Sequence, residues 1–523
     1  MLNDTRIFGY SRSGITDRGV HYPIMIESRM NPLGTVDNTL SVSNDRLVKK
    51  SAAIWKEFDL QSPVGLINNE DVVTFANAIE LIQRPMSFMK ELFEFHQKNN
   101  FKRLIYAPGI SDPYIVPALL YVGISVFDDF LPQHESLKGI IYTPVGRDKS
   151  GVNTADENSK FTEHIIDLGS KSILNGTIRE LAEKFSFSSK AVEIIRIADS
   201  DYYEQIEKHF PSRTDYIMAN SIESLYRPDI DRYRKRISQV YKKPEGPNVA
   251  LILPCSAKKP YSISKSHKKI IEKIHNFRPS LHEIIVTSPV GLVPRELEEF
   301  YPPAFYDIPV IGRWYEDEKA MIKTLISDYF SRNKYKSVIA YINDDLEFIR
   351  ESIPEDTVFI IGRTTEDRNL DILMETIEGM LSKNHLSNSQ RRSDDFRNMA
   401  AFQFGYWIIP YLEKARITRS YNQEMFTDGS KTLLAYNNKL GKFAINRAFA
   451  EAFVKENKFI VEIDDFKPTA NIYAMGVNYA TPDIRPEDEV VVVHDGEVRG
   501  VGIAKMPFDA MNNLKKGVAV KMR

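Results

Sequence analysis

The stretch Val249-Ala-Leu-Ile-Leu-Pro-Cys255-Ser-Ala-Lys-Lys-Pro-Tyr-Ser-Ile-Ser-Lys-Ser-His267 decides how the middle of this chain folds. Its first six residues are an apolar run that reads as a strand and ends at Pro254. A loop follows, and then a basic helical pattern that starts at about Ser264. A strand that breaks into a loop and then a helix sets the intervening side chains at the rim of a sheet, near the positive end of a helix dipole. Cys255 holds that position, and it is the chain's one cysteine. Such surroundings suit a soft nucleophile that ionises near neutral pH. A buried structural thiol reads equally well, because free cysteine is among the most buried residue types.

Working outward, an α/β unit runs from about Asn248 to Gly379. Its strands are expected at Val249–Pro254, Glu283–Thr287, Ser337–Ile342 and Thr357–Ile361, with helices over Ser264–Asn276 and Glu318–Phe330. Ile263, Ile270, Ile271 and Ile274 keep helical spacing on one face. Lys265, Lys268, Lys269 and Lys273 cover the rest, which reads as a solvated surface. Upstream, short apolar strands alternate with helical patterns, as in a parallel sheet or barrel. Gly14 to Ile26 reads as a hairpin leading into a strand. Arg103–Pro108 and Gly123–Asp129 read as strands flanking a helix over Ile115–Tyr121. Arg227–Ile237 is a basic helical stretch, and Lys242–Pro247 reads as a linker. Downstream of a polar boundary near Leu386, a helical stretch covers Asp394–Leu412. Short strands are then expected at Phe459–Ile463, Asn471–Val477, Glu489–His494 and Gly500–Lys505, with Asp495-Gly496 as a hairpin turn. They read as a small β-barrel or sandwich.

Three groups of residues could carry chemistry. Around Cys255, Lys259 and His267 could supply charge or a proton, Tyr261 could pack, and Ser264 could cap the helix. A second group follows the strand at Glu283–Thr287. Glu296 is a candidate general base or amine-binding carboxylate, Arg295 and Arg313 could bind a carboxylate or phosphate, and Trp314 offers a stacking face. In an open α/β sheet ligands bind beyond the carboxyl ends of strands, so this loop could share a crevice with Cys255. It reads equally as a long surface loop with a structural ion pair. The third group, Asn343-Asp344-Asp345, could bind a cation or an amine, or cap the next helix.

The bulk numbers set the frame. With 523 residues the chain can hold roughly three or four domains of ~100–200 residues. One cysteine leaves no disulfide within the chain and no cysteine-rich zinc site, in keeping with a reducing cytoplasm. No signal peptide and no apolar run of ~18 residues is evident, so no membrane span is expected. The net charge of −2 is neutral as to partners. Without a Walker loop, a GxGxxG fingerprint, an HExxH or a serine-hydrolase elbow, nucleotide-triphosphate or nicotinamide chemistry has no support. No metal and no cofactor are expected.

The spacing PC-x3-KPY-x2-S-x2-H, carried by Pro254, Cys255, Lys259, Pro260, Tyr261, Ser264 and His267, resembles the signature of the archaeosine synthases, archaeal paralogues of tRNA-guanine transglycosylase. Residues 8–27 resemble the opening hairpin of the transglycosylase barrel. Ala107-Pro-Gly and Leu120–Asp129 resemble a later part of it. Gln403-Phe-Gly and the C-terminal strands resemble the archaeal transglycosylase tail, which ends in a PUA domain. The resemblance implies a multidomain α/β chain. A partial, degenerate TIM-barrel-like transglycosylase domain would span 1–240 and a central α/β catalytic domain with a parallel-type sheet 241–385. A small α+β domain would span 386–455 and a PUA β-barrel 456–523. Transglycosylases hold a structural zinc with three cysteines and a histidine, which this chain cannot do, and their nucleophilic aspartate motif finds no convincing match here.

The resemblance further implies a substrate: tRNA bearing 7-cyano-7-deazaguanine at position 15. An amine would add across its nitrile on the way to the amidine of archaeosine. Free lysine is the expected donor, glutamine or ammonia the alternative, and a radical-SAM partner enzyme would cleave a lysine adduct. Cys255, Lys259, His267 and Glu296 are the expected catalytic residues. Tyr261, Ser264, Arg295, Arg313, Trp314, Asp344 and Asp345 are expected to bind substrate. Transglycosylase relatives often dimerise, which puts a homodimer among the expected assemblies. Guanine exchange and tRNA binding without chemistry are the competing readings.

Overall fold

The strand expected over Val249–Pro254 is the centre of a five-stranded sheet in the computed structural model, which describes residues 2–17, 19–26, 71–75, 78–309, 312–381, 386–420 and 423–523. In chain order its strands are β1 (Val249–Pro254), β2 (Leu281–Thr287), β3 (Gly291–Pro294), β4 (Ser337–Ile342) and β5 (Val358–Ile361). They lie side by side as β3-β2-β1-β4-β5. All neighbours run parallel except β2 and β3. All six residues of β1 are buried, which is why it reads as an unbroken apolar run rather than an alternating one.

Helices cover both faces. α1 (Lys265–Ile274) joins β1 to β2, and α2 (Glu316–Arg332) leads into β4 on the other side of β1. Right-handed crossovers then set the two helices on opposite faces. Ile270 and Ile274 of α1 share a core with Val249, Leu251 and Leu253, and with Leu370, Leu373 and Ile377 of α3 (Asp367–Met380). Lys269 and Lys273 reach across to Asp367 and Asp371 of α3, so two of the four expected surface lysines pair with carboxylates. On the other face, the turn from β2 to β3 presses against α2. Gly291 has φ +83 there, and a Cβ would lie 2.3 Å from Leu325 Cδ2. Glycine is required on both counts.

This reversal changes the reading of residues 288–298. They form no surface loop: β3 returns antiparallel along β2 and leads into a buried 3-10 turn at Arg295–Leu297. The physical reason is that the segment's charges satisfy one another, as described below, and can therefore be covered. Beyond α3, helix α4 (Asn388–Phe404) opens on a capping box of Ser387 and Gln390 and stops at Gly405, which has φ +109. A four-stranded antiparallel sheet follows, from Arg416 to Ile445.

The chain divides into two compact units, Asp215–Glu456, which holds everything above, and Met1–Thr214 with Asn457–Arg523. The latter contains a hairpin of Leu2–Phe8 and Ser11–Thr16, on which His21–Tyr22 pairs as the third strand. It also contains a parallel sheet in the order Ile24–Ile26, Ile124–Asp128, Leu104–Tyr106 and Val72–Thr74. Among the described residues this sheet has four strands, where a complete barrel has eight. The C-terminal part is a six-stranded mixed sheet. Its hairpin turns at Asp495 (φ +48) and Gly496 (φ +77), as the Asp-Gly pair predicts. Arg485 pairs with both carboxylate oxygens of Glu207 at 2.6 and 2.7 Å, tying the two ends of this unit together.

Candidate active site

β1 is the strand at which the order of the sheet reverses, since β2 lies on one side of it and β4 on the other. The crevice beyond the carboxyl end of such a strand is where open α/β sheets bind ligands. Cys255 follows Pro254 at that end and is partly exposed. Pro254 pairs in register with Val286, which brings the next residue of β2, Thr287, level with the thiol. The Thr287 hydroxyl, close by, favours the thiolate. Burial raises the thiol pKa above its ordinary value, and Asp345 adds to the rise. Thr287 and the Lys259 ammonium oppose it. Lys259 is lowered by burial and partly restored by Cys255 and Asp307. Its Nζ lies 3.9 Å from the centre of the Tyr306 ring, a cation–π contact. Both shifts favour the uncharged pair, a thiol beside an amine, over a thiolate beside an ammonium.

Below the thiol lies a hydroxyl cluster. Tyr261, fully buried, meets Tyr306 at 2.9 Å, and Tyr306 meets the Thr287 hydroxyl at 2.8 Å. At the carboxyl end of β4, Asp345 accepts a hydrogen bond from Trp314 Nε1 at 2.9 Å. Asp344 and Asp345 are exposed in the first turn of the 3-10 helix Asp344–Ser352, and Asn343 holds the N-cap position. Arg313 is exposed beside Trp314. Cys255, Lys259, Tyr261, Trp314 and Asp345 thus gather at one end of the sheet, joined by Thr287 and Tyr306.

His267 and Ser264 sit behind this group. The Ser264 hydroxyl accepts from the His267 backbone N–H at 3.2 Å as the helix cap. The His267 ring is buried, its Nε2 is 3.0 Å from the Pro254 carbonyl and its Nδ1 is 2.8 Å from the Arg295 guanidinium. A carbonyl only accepts and a guanidinium only donates, so the ring is neutral and carries its proton on Nε2. Burial, then Arg295, hold its pKa down to about 4. Arg295 in turn is held by Glu283 at 2.7 Å and Glu298 at 2.8 Å, and Glu298 also accepts from the Ser262 N–H at 3.0 Å. The guanidinium expected to bind substrate is spent inside the fold, and the imidazole expected to move protons is spent on the end of β1.

Glu296 lies farther off. β3 carries it back along β2, where Ile284 pairs with Pro294, about 10 Å up-strand of Thr287 at ~3.3 Å per residue. There it accepts from Tyr241, from Asn398 at 3.0 Å and from His282 at 3.3 Å. Burial works against its charge, but the hydrogen bonds from His282 and Tyr241, with Arg391 nearby, hold the carboxyl below its usual range. It is a structural anion, apart from the thiol. The sequence reading missed Thr287 and Tyr306. Pairing β1 with β2 in parallel would have found the first. Tyr306 sits on a two-residue strand paired with Ile217–Met218 and has no local signal.

Among the described residues one trio, Glu462, His494 and Asp495, offers three metal-type ligand atoms within 4.8 Å of one another, open to solvent and outside this unit. No described helix is long and apolar enough to cross a membrane.

A partly exposed thiol and a partly buried amine at the switch point of a parallel sheet, in a chain with a small C-terminal β domain, mark an α/β protein with a candidate site at the rim of its sheet. Residues 230–377 match a family described as a domain of unknown function, DUF5591, and residues 464–523 match the PUA domain. The chain is 48% identical over 526 aligned residues to archaeosine synthase subunit alpha of Thermoplasma acidophilum, covering 100% of both. It is 30% identical to the protein of the same name from Methanosarcina acetivorans, over 88% of this chain and 80% of that one. A tRNA-guanine(15) transglycosylase of Methanococcus maripaludis is 24% identical, over 71% of this chain and 52% of the other. The chain belongs to the archaeosine synthase alpha-subunit family.

Proposed function

We propose that the chain adds the side-chain amine of free lysine to the nitrile of 7-cyano-7-deazaguanine at position 15 of tRNA, with Cys255 as the nucleophile that first takes the base. Family membership and the PUA match support tRNA as the partner. The observation that carries the chemistry is the placement of Cys255 between Thr287 and Lys259 at the carboxyl end of β1. A nitrile carbon is an electrophile for sulfur once the thiol proton has somewhere to go. Lys259 Nζ takes that proton and delivers it to the nitrile nitrogen, and the sulfur–carbon bond gives a thioimidate. The lysine amine then attacks the same carbon. Its proton passes to the departing sulfur, the carbon–sulfur bond breaks, and an N-substituted amidine and the free thiol remain.

The donor fits the rim of the same crevice. Asp345, fixed by Trp314, and Asp344 would hold an ammonium or draw its proton, and the exposed Arg313 would take the carboxylate. The buried Tyr261–Tyr306–Thr287 cluster would underpin the crevice that receives the flipped base. Arg295, His267 and Glu296 are positioning and structural residues in this reading. The lysine adduct would pass to a radical-SAM partner, and glutamine or ammonia would give the amidine directly. Mass spectrometry of nucleosides from nitrile-bearing tRNA, after incubation with isotopically labelled lysine, tests the reading. A labelled lysine adduct is expected, while unchanged base with lysine, or a labelled amidine in a parallel incubation with labelled glutamine, would overturn it.

A further inference from the structure

A cavity of about 780 Å³ lies in the same unit as the thiol but opens elsewhere, between the start of β2, α4 and the four-stranded antiparallel sheet. Its volume is that of a small-molecule site. Its walls carry six carboxylates against four guanidiniums. Those guanidiniums are all engaged. Arg278 and Arg295 are held by Glu283, Arg391 pairs with Asp395 at 2.8 Å, and Arg392 pairs with Glu424. Two wall groups are left over. Glu299 is half-buried and pairs with no cation among the described residues. The Tyr436 hydroxyl is buried without a hydrogen-bond partner, and its nearest charges are Glu299 and Glu298. A buried hydroxyl left unpaired is unfavourable, so a group that bonds to it is favoured.

We propose that this cavity binds a small organic cation through a primary ammonium group, which donates to the Glu299 carboxylate and the Tyr436 hydroxyl oxygen. An ammonium offers three donors and one positive charge, which meets both deficits at once. The site is separate from the thiol crevice, yet Arg295 and Glu298 belong both to its wall and to the chain of hydrogen bonds that ends at Pro254. The proposal stands independently of the reaction at Cys255.

Isothermal titration of the full chain with 1,5-diaminopentane tests it, with pentanoate as the anionic control. Diaminopentane is expected to bind and pentanoate not. Cys255→Ala is expected to leave the affinity unchanged. Glu299→Gln, at a half-buried position where the shape is kept, is expected to weaken binding tenfold or more, and Tyr436→Phe to weaken it severalfold. No binding of diaminopentane, binding of pentanoate, or a smaller effect of Glu299→Gln overturns the proposal.

Discussion

The Arg295 guanidinium donates to His267 Nδ1 at 2.8 Å, so the histidine of the family signature is a spacer between a buried ion-pair cluster and the strand that ends at the thiol. Removing the guanidinium strands Glu298 and the imidazole and leaves Glu283 with Arg278 alone. Arg295→Met should therefore cost about 3–5 kcal/mol of unfolding free energy, read by urea denaturation, because a buried charge without its partner is far worse than a missing pair. A loss below 1 kcal/mol would show that the cluster does not hold the fold.

His267 also sets a pH dependence. Its pKa falls from 6.5 to about 4 on folding, so the folded chain prefers the neutral ring. Protonation favours the unfolded chain. The stabilisation is whole above about pH 6.5 and is lost as the pH drops towards 4, amounting to about 3 kcal/mol over that window. His267→Gln should flatten the stability-against-pH curve by about that much between those limits. Parallel curves for the two proteins would contradict the assignment of the neutral ring.

The thiol should report its neighbours by sign. Thr287 and Lys259 lower its pKa and Asp345 raises it. The midpoint of alkylation rate against pH should move to higher pH in Thr287→Val and Lys259→Ala, and to lower pH in Asp345→Asn. Shifts in a common direction would mean that Cys255 is not placed among these groups.

Much of this site was legible in the sequence. The apolar run Val249–Pro254, continuous because both faces of β1 are covered, placed Cys255 at the rim of a sheet without any structure. The same logic placed Asp345 and Trp314 after strand ends. What could not be read was the reversal at Ser288–Gly291. A polar stretch rich in Arg and Glu reads as surface, and only the mutual pairing of Arg295, Glu283 and Glu298 lets it be buried. Once β3 turns back, Glu296 is drawn away from the thiol and towards His282, a partner far from the signature. Three of the parallel strands before residue 130 were readable from alternation, but Val72–Thr74, three residues long, was not, and a sequence carries no measure of how many strands close the sheet.

Donor recognition separates the two arginines. Arg313→Ala should raise the lysine KM about tenfold, near 1.4 kcal/mol of lost binding, with kcat little changed. Glu296→Gln should leave the lysine KM unaltered in whatever fraction remains folded. A raised KM in Glu296→Gln alone would move the donor site to the far end of β2.

The central claim is that sulfur bonds to carbon at Cys255. Single-turnover incubation of nitrile-bearing tRNA with the full chain in the absence of any amine donor, followed by intact mass measurement of the protein–tRNA species, addresses it directly. A covalent adduct on the wild-type chain that is missing in Cys255→Ala, together with loss of lysine transfer in that variant, is the predicted result. Lysine transfer by Cys255→Ala at a rate near that of the wild type would contradict it.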